Sequence, residues 1–246
     1  MPRQARLIVP DIALHIVQRG HDRRECFRHE TDYLVYLSTL RELLPKTGCA
    51  LHAYCLMTNH VHLLLTPATA TACALLMRNL GQRYVQYFNR RYERSGTLWE
   101  GRFRSCLVDS ARYVLACYRY VERNPVRARM VDSPLAYRWS SHGGNAGELS
   151  NALLTPHAEY LALGQDDAVR LAAYRGLFAA EDDPEFLAAI RDATNGGFAL
   201  VGKSFKSGLP PKTQRRLARK HPGPSAPSLP EQIDILAELG LRPRMS

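Results

Sequence analysis

The order of hydrophobic periods along the first half of the chain constrains its fold most. Ala13 to Gln18 (ALHIVQ) reads as a strand, and Arg19 to Asp22 turns the chain. From Asp32 to Lys46, apolar residues at Tyr33, Leu34, Leu37, Leu40, Leu43 and Leu44 fall at helical spacing, and Gly48 ends that helix with Lys46 in its last turn. Cys49 to Met57 and His60 to Thr66 read as strands joined by the short turn Thr58-Asn59, a hairpin. A long helix follows from about Thr71 to Arg94, then a strand from Arg102 to Val108. A further helix, capped by Asp109 or Ser110, runs to Arg123 or Asn124 and stops before Pro125. The first six elements are those of a split βαβ unit. The expected fold is therefore α+β, a ferredoxin-like antiparallel sheet with helices on one face. The other face of that sheet is left for a ligand or another layer.

After about Ser150 the character changes. Glu148 to Asp192 is acidic, Ala-rich and helically spaced, whereas Lys203 to Lys220 carries seven basic residues and no acid. Pro222 to Pro230 (PGPSAPSLP) has the composition of a linker. The expected organisation is a catalytic domain over 1–147, a helical extension over 148–202 and a basic, Pro-containing tail over 203–246. This C-terminal extension is expected to be mainly helical or partly disordered.

Composition narrows the function classes. The chain has 246 residues and a net charge of +10, with arginine dominating over lysine. Arginine suits phosphate because its planar fork can bind two oxygens at once. A solvated basic surface accounts for the charge equally well. The six cysteines stand singly, without the CxxC spacing of a zinc site, and read as reduced core packing. No apolar run approaches the roughly 20 residues that span a bilayer, and no secretory leader is visible, so the expectation is a cytoplasmic protein without membrane contact.

Three constellations can carry chemistry. His60 and His62 flank Val61 on a strand, so the two imidazoles share one face while Val61 turns to the core. Such a pair can hold one metal, although pairs at this spacing are also common by chance. Tyr120 and Asn124 lie four apart on a helix and share a face. They offer a phenol and an amide oxygen, but taken alone a core-edge tyrosine and a helix-ending asparagine explain them more simply. Tyr113 lies seven residues earlier on the same side and Tyr118 faces elsewhere. Finally, Arg78 to Arg129 holds twelve arginines against four acids, interleaved with aromatic residues. Single-strand binders need that mixture, because arginines follow phosphates and aromatics stack on bases. An amphipathic helix with core aromatics and solvated arginines accounts for it equally.

The runs HIVQRGHDR, LMTNHVHLLL, GTLWEGRFRS and YRYVERNPVRARMV resemble the REP-associated tyrosine transposases, relatives of the single-tyrosine transposases of small insertion sequences. The resemblance covers about Pro2 to Ser141, with the motifs in the family's order. It implies that His60 and His62 are the HUH metal-binding pair, that Tyr120 is the nucleophile and that Asn124 is the third metal ligand. Glutamine holds that last place in the insertion-sequence relatives, so Asn124 fits the REP-associated branch. Two imidazoles and an amide oxygen make an open, mostly neutral site suited to Mg²⁺ or Mn²⁺.

The implied activity is cleavage and rejoining of single-stranded DNA near hairpin repeats through a 5′-phosphotyrosine. Arg19, Arg23, Arg78, Arg83, Arg102, Arg104 and Arg127, with Trp99, are the expected DNA contacts, and the protein is expected to act as a monomer or homodimer. An HUH replication initiator or relaxase shares the chemistry, and a non-catalytic nucleic-acid-binding regulator could share the fold. The WEGRF and NPVRA runs favour the transposase over the former. The intact His60, His62, Tyr120 and Asn124 favour an enzyme over the latter.

Overall fold

A computed structural model describes residues 6–180, 182–197, 199–200 and 207. The basic stretch from Lys203 to Lys220, apart from Ser207, and the Pro-rich segment after it lie outside the described residues. Strands β1 (Ala13–Arg19), β2 (Cys49–Met57), β3 (His60–Pro67) and β4 (Arg104–Val108) form the antiparallel part of the sheet. Their order is β2-β3-β1-β4, and a two-residue β5 (Ala199–Leu200) joins β4 in parallel to make five strands. With helices α1 (Glu30–Thr47) after β1 and α2 (Ala72–Arg91) after β3, the β-α-β-β-α-β order read from the sequence is the one observed.

Alternation along the strands sorts side chains between two cores. Leu14, Ile16, Val61, Leu63, Leu65 and Leu107 join the cluster beneath α1 and α2. Ala13, Leu64, Cys106 and Val108 join a second cluster on the opposite face. Strand β2 breaks the alternation at a bulge: its register passes from Leu51 opposite Leu65 to Ala53 opposite Leu64, leaving His52 as the extra residue. Before the bulge Cys49 and Leu51 face the first core, and after it Tyr54 and Leu56 do. The His52 ring is accommodated by Nδ1 at 2.7 Å from the Thr155 carbonyl and Nε2 at 2.8 Å from Thr66 Oγ1.

The second face carries α3 (Ser110–Glu122), the single-turn α4 (Asn124–Arg127), α5 (His142–Asn145) and α6 (Ala158–Leu161), then α7 (Asp167–Gly176) and α8 (Pro184–Gly196). The face that the sequence left open is thus covered by another layer. Val114, Cys117, Tyr118 and Val121 of α3 meet Tyr160, Tyr174, Ile190 and Ala193 there. The six cysteines are free and buried. Among the described residues no helix is long and apolar enough to cross a membrane.

Helix α1 is anchored at both ends. Gly48 closes it in the left-handed region at φ 67°, where its N–H reaches the carbonyls of Leu44 and Pro45. At the start, the fully buried Asp32 accepts hydrogen bonds from the backbone N–H of Arg28 and His29 and from the hydroxyls of Tyr87 and Tyr92, all at 2.7–3.0 Å. Burial opposes the Asp32 charge, but these donors outweigh it and hold its pKa below the ordinary carboxylate value. A depressed pKa stabilises the fold above the unfolded-state value and loses that contribution as pH falls through the folded-state value. Asp32→Asn is therefore expected to lower stability at neutral pH, with the gap to the wild type shrinking on acidification below about pH 4. Urea unfolding of both proteins between about pH 3 and pH 7 reads that gap, and a gap independent of pH would contradict the assignment.

Candidate active site

Strand β3 places His60 and His62 on the second face, as the alternation predicts, with their ring centroids 4.9 Å apart. Across the ladder, His62 stands opposite Val17 and His60 opposite Arg19. His62 is only 4% exposed, whereas His60 is half-buried. Burial and the nearby Arg19 guanidinium push the His60 pKa down to about 4. Burial, with His60, His15 and arginine charges around it, holds His62 well below the ordinary value. Both imidazoles are therefore neutral at physiological pH, the state that can ligate a metal.

Helix α3 brings Tyr120 to this pair. Its ring lies edge-on to His62 at 5.7 Å and to His15 of β1 at 5.4 Å between centroids. Tyr118, rotated around the helix, is fully buried against Tyr160 and Tyr174. Tyr113 packs at the margin of the second core. Burial raises the Tyr120 pKa, while the Arg127 and Arg191 guanidinium groups pull the other way. Asn124 sits one turn beyond Tyr120. Its Nδ2 donates to the carbonyls of Tyr120 at 2.9 Å and Val121 at 3.3 Å, which directs the amide oxygen away from the helix carbonyls.

Several residues at the site carried no signal in the sequence. His15 lies on the first strand but was not singled out there, and only the β1–β3 register brings it to His62, with Nε2 2.9 Å from His62 Nδ1. Arg191 and Thr194 arrive from α8, far along the chain. Asp182 lies just before α8 and pairs with Arg119, Arg123 and Arg127 at 3.2–3.4 Å. Arg127 is also stacked over the Tyr120 ring, its guanidinium carbon 4.5 Å from the centroid, and donates to the Tyr120 carbonyl. Two residues beyond Tyr120, the fully buried Glu122 accepts hydrogen bonds from Ser141 Oγ, Asn145 Nδ2 and Tyr174 OH and pairs with His142 Nδ1, all at 2.6–2.8 Å. These contacts fix the rotation of α3 against α5 and α7.

The expected DNA contacts are spread more widely. Arg19 and Arg127 lie at the histidine–tyrosine cluster. Arg102 and Arg104 are exposed and, with Arg6 and Thr194, line a pocket of about 570 Å³. Arg23 and Arg78 are exposed, and Arg83 is paired with Glu42 at 2.7 Å. Trp99 is 5% exposed within the first core, packed near Tyr84. Tyr84, Phe88, Phe103 and Tyr118 are buried too, so core packing accounts for much of the aromatic content of the Arg78–Arg129 stretch.

The donor set fits a hard or borderline divalent cation. His60 and His62 are neutral and share a face, and Asn124 has its amide nitrogen committed to backbone and its oxygen left over. Among the described residues no group of three or more His, Cys, Asp or Glu side chains forms an alternative metal centre.

The described fold is similar to the structure of a REP-associated tyrosine transposase bound to a REP hairpin, with a TM-score of 0.52 at 12% identity, over 65% of this chain and 96% of that one. A more distant likeness, to a candidate transposase from Deinococcus radiodurans R1, has a TM-score of 0.34 at 20% identity over 52% of this chain and 92% of that one, and carries no argument. No curated protein matches significantly. Residues 8–124 match the family model described as Transposase IS200 like.

The Glu122 network generates a stability prediction. Glu122→Ala leaves four buried partners without their acceptor, and each unsatisfied group costs about 1–3 kcal/mol. Thermal unfolding is expected to show a drop larger than that of a surface Glu→Ala control, with Glu122→Gln in between. A melting temperature equal to the wild type's would remove Glu122 as the anchor of α3.

Proposed function

We propose that this chain is a transposase that cleaves and rejoins single-stranded DNA beside hairpin repeats, with Tyr120 as the nucleophile. The observation that carries the reading is the edge-on approach of Tyr120 to His62 within one chain, 5.7 Å between ring centroids. The histidine pair and the tyrosine therefore need no second copy to meet. The similar structure described as bound to a REP hairpin supports the choice of substrate.

In this reading the Tyr120 oxygen attacks the scissile phosphorus. A tyrosyl O–P bond forms and the bond to the 3′ oxygen breaks. The phenol gives up its proton, the departing 3′ oxygen takes one up, and the products are a 5′-phosphotyrosine and a free 3′-OH. Because the phosphodiester bond energy is retained, a 3′-OH can attack the phosphotyrosine and rejoin a strand without ATP. His60, His62 and Asn124 would hold Mg²⁺ or Mn²⁺, which when bound draws charge from the scissile phosphate and orients it. Arg191 adds positive charge near the phenol, and Arg127 braces the ring. Arg19, beside His60, and Arg102 and Arg104, along the polar pocket, are suited to the strand's phosphates. Trp99 has no part in this reading, because its ring is committed to the core.

The test is incubation of the full chain with labelled single-stranded hairpin DNA and Mn²⁺, followed by mass-spectrometric mapping of any covalent adduct. Tyr120→Phe is expected to bind the hairpin as the wild type does while the adduct falls to background, and Tyr113→Phe is expected to form it. His62→Ala should abolish metal-dependent cleavage and leave most DNA binding, which should itself weaken steeply with salt. Binding without an adduct in the wild type would favour a non-catalytic regulator. Undiminished adduct from Tyr120→Phe would move the nucleophile elsewhere.

A further inference from the structure

Behind His62 lies a buried chain of polar groups that the proposed reaction does not use. His15 is 1% exposed, with its ring parallel to that of His62 at an interplanar angle of 8°. Its Nε2 is 2.9 Å from His62 Nδ1, and its Nδ1 is 2.9 Å from Thr194 Oγ1. Thr194, itself 3% exposed, is 3.2 Å from Cys106 Sγ. A neutral imidazole has one donor and one acceptor nitrogen, so the protons along this chain must all run the same way. In one arrangement His62 Nδ1–H donates to His15 Nε2, His15 Nδ1–H donates to Thr194 Oγ1, and the Thr194 hydroxyl donates to Cys106. In the reverse arrangement the His62 proton sits on Nε2, and that nitrogen cannot ligate a cation.

We infer that His15, held by Thr194, is a positioning residue that keeps His62 in the Nδ1–H tautomer and so presents the Nε2 lone pair at the candidate cation site. The inference rests on the cation reading of His60 and His62 given above. Two observations support it. His62 Nδ1 is occupied by His15, so Nε2 is the ring nitrogen left to face outward, and it makes no hydrogen bond among the described residues. The neighbouring chain gives the His62 Nδ1 proton an acceptor in His15 Nε2, and Thr194 Oγ1 in turn takes the His15 proton, so this arrangement is satisfied from end to end. Outer partners of metal-binding histidines act in this way in general, by fixing tautomer and ring orientation. Here the partner is a second histidine, and the residue holding it comes from α8, beyond the family-matched residues 8–124. The C-terminal extension thereby becomes part of the site.

The tautomer can be read without any metal. In full-length protein labelled with ¹⁵N at histidine, long-range ¹H–¹⁵N spectra assign the His62 proton, while titration with Mn²⁺ followed by electron paramagnetic resonance gives the affinity. The wild type is expected to carry the His62 proton on Nδ1. His15→Leu is expected to lose that preference and to bind Mn²⁺ about 10- to 100-fold more weakly. His15→Gln, whose Oε1 can accept from His62 Nδ1–H, is expected to keep the tautomer and restore most of the affinity. Thr194→Val should weaken Mn²⁺ binding in the same direction as His15→Leu. A wild-type His62 protonated on Nε2 overturns the inference, as does a His15→Leu protein with tautomer and affinity unchanged. If His15→Leu fails to fold, the wild-type tautomer and His15→Gln decide the matter. A wild type with the Nδ1–H tautomer that binds no Mn²⁺ supports the relay and overturns the cation reading instead.

Discussion

The docking of α3 on the second face of the sheet is the constraint on which the site depends. Tyr120 reaches the histidine pair only while that helix keeps its rotation, because neighbouring side chains on a helix diverge by about 100°. Glu122 supplies the pin: a buried carboxyl two residues beyond Tyr120, gripped by side chains of Ser141, His142, Asn145 and Tyr174. Such a network tolerates little displacement, since any shift leaves buried donors without an acceptor. The polar core beneath α5 and α7 and the orientation of Tyr120 are in this sense one structure.

The sheet separates the work of its two faces. Beneath α1 and α2 lies an apolar core that includes Tyr36, Leu40, Leu63 and Leu80 and is closed by the Asp32 anchor at the start of α1. The opposite face mixes apolar packing with His15, His60 and His62. The bulge at His52 lets β2 serve both, because the extra residue reverses which side chains point to which face. A histidine pair on the face covered by α3 and α8 is consequently desolvated and neutral, while His60 at the strand's start keeps partial exposure.

Charge around the tyrosine is balanced within the chain. Asp182 draws together Arg119, Arg123 and Arg127, three arginines on one side of α3 and α4 that would otherwise repel one another. With its charge partly answered by Asp182, Arg127 lies flat on the Tyr120 ring and acts as a brace. Arg191 adds a second positive charge near the phenol. The segment running into α8 thus organises the basic groups nearest the tyrosine, and α8 itself holds His15 through Thr194.

The sequence by itself determined the element order, the C-terminal end of α1, the β2–β3 hairpin and the shared face of His60 and His62. Each follows from local rules: period-two and period-3.6 patterns, a glycine stop, and strand alternation. The motifs around His60, Tyr120 and Asn124 were legible for the same reason, since each is a short contiguous run. Only the tertiary structure decided that the sheet's second face is filled by another layer and that Trp99 and many of the interleaved aromatics are core. The same holds for the parts most distant in the chain. His15 and Thr194 are separated by 179 positions and meet through a hydrogen bond. No local pattern encodes that contact, because it arises from the register of β1 on β3 and the packing of α8 across the sheet.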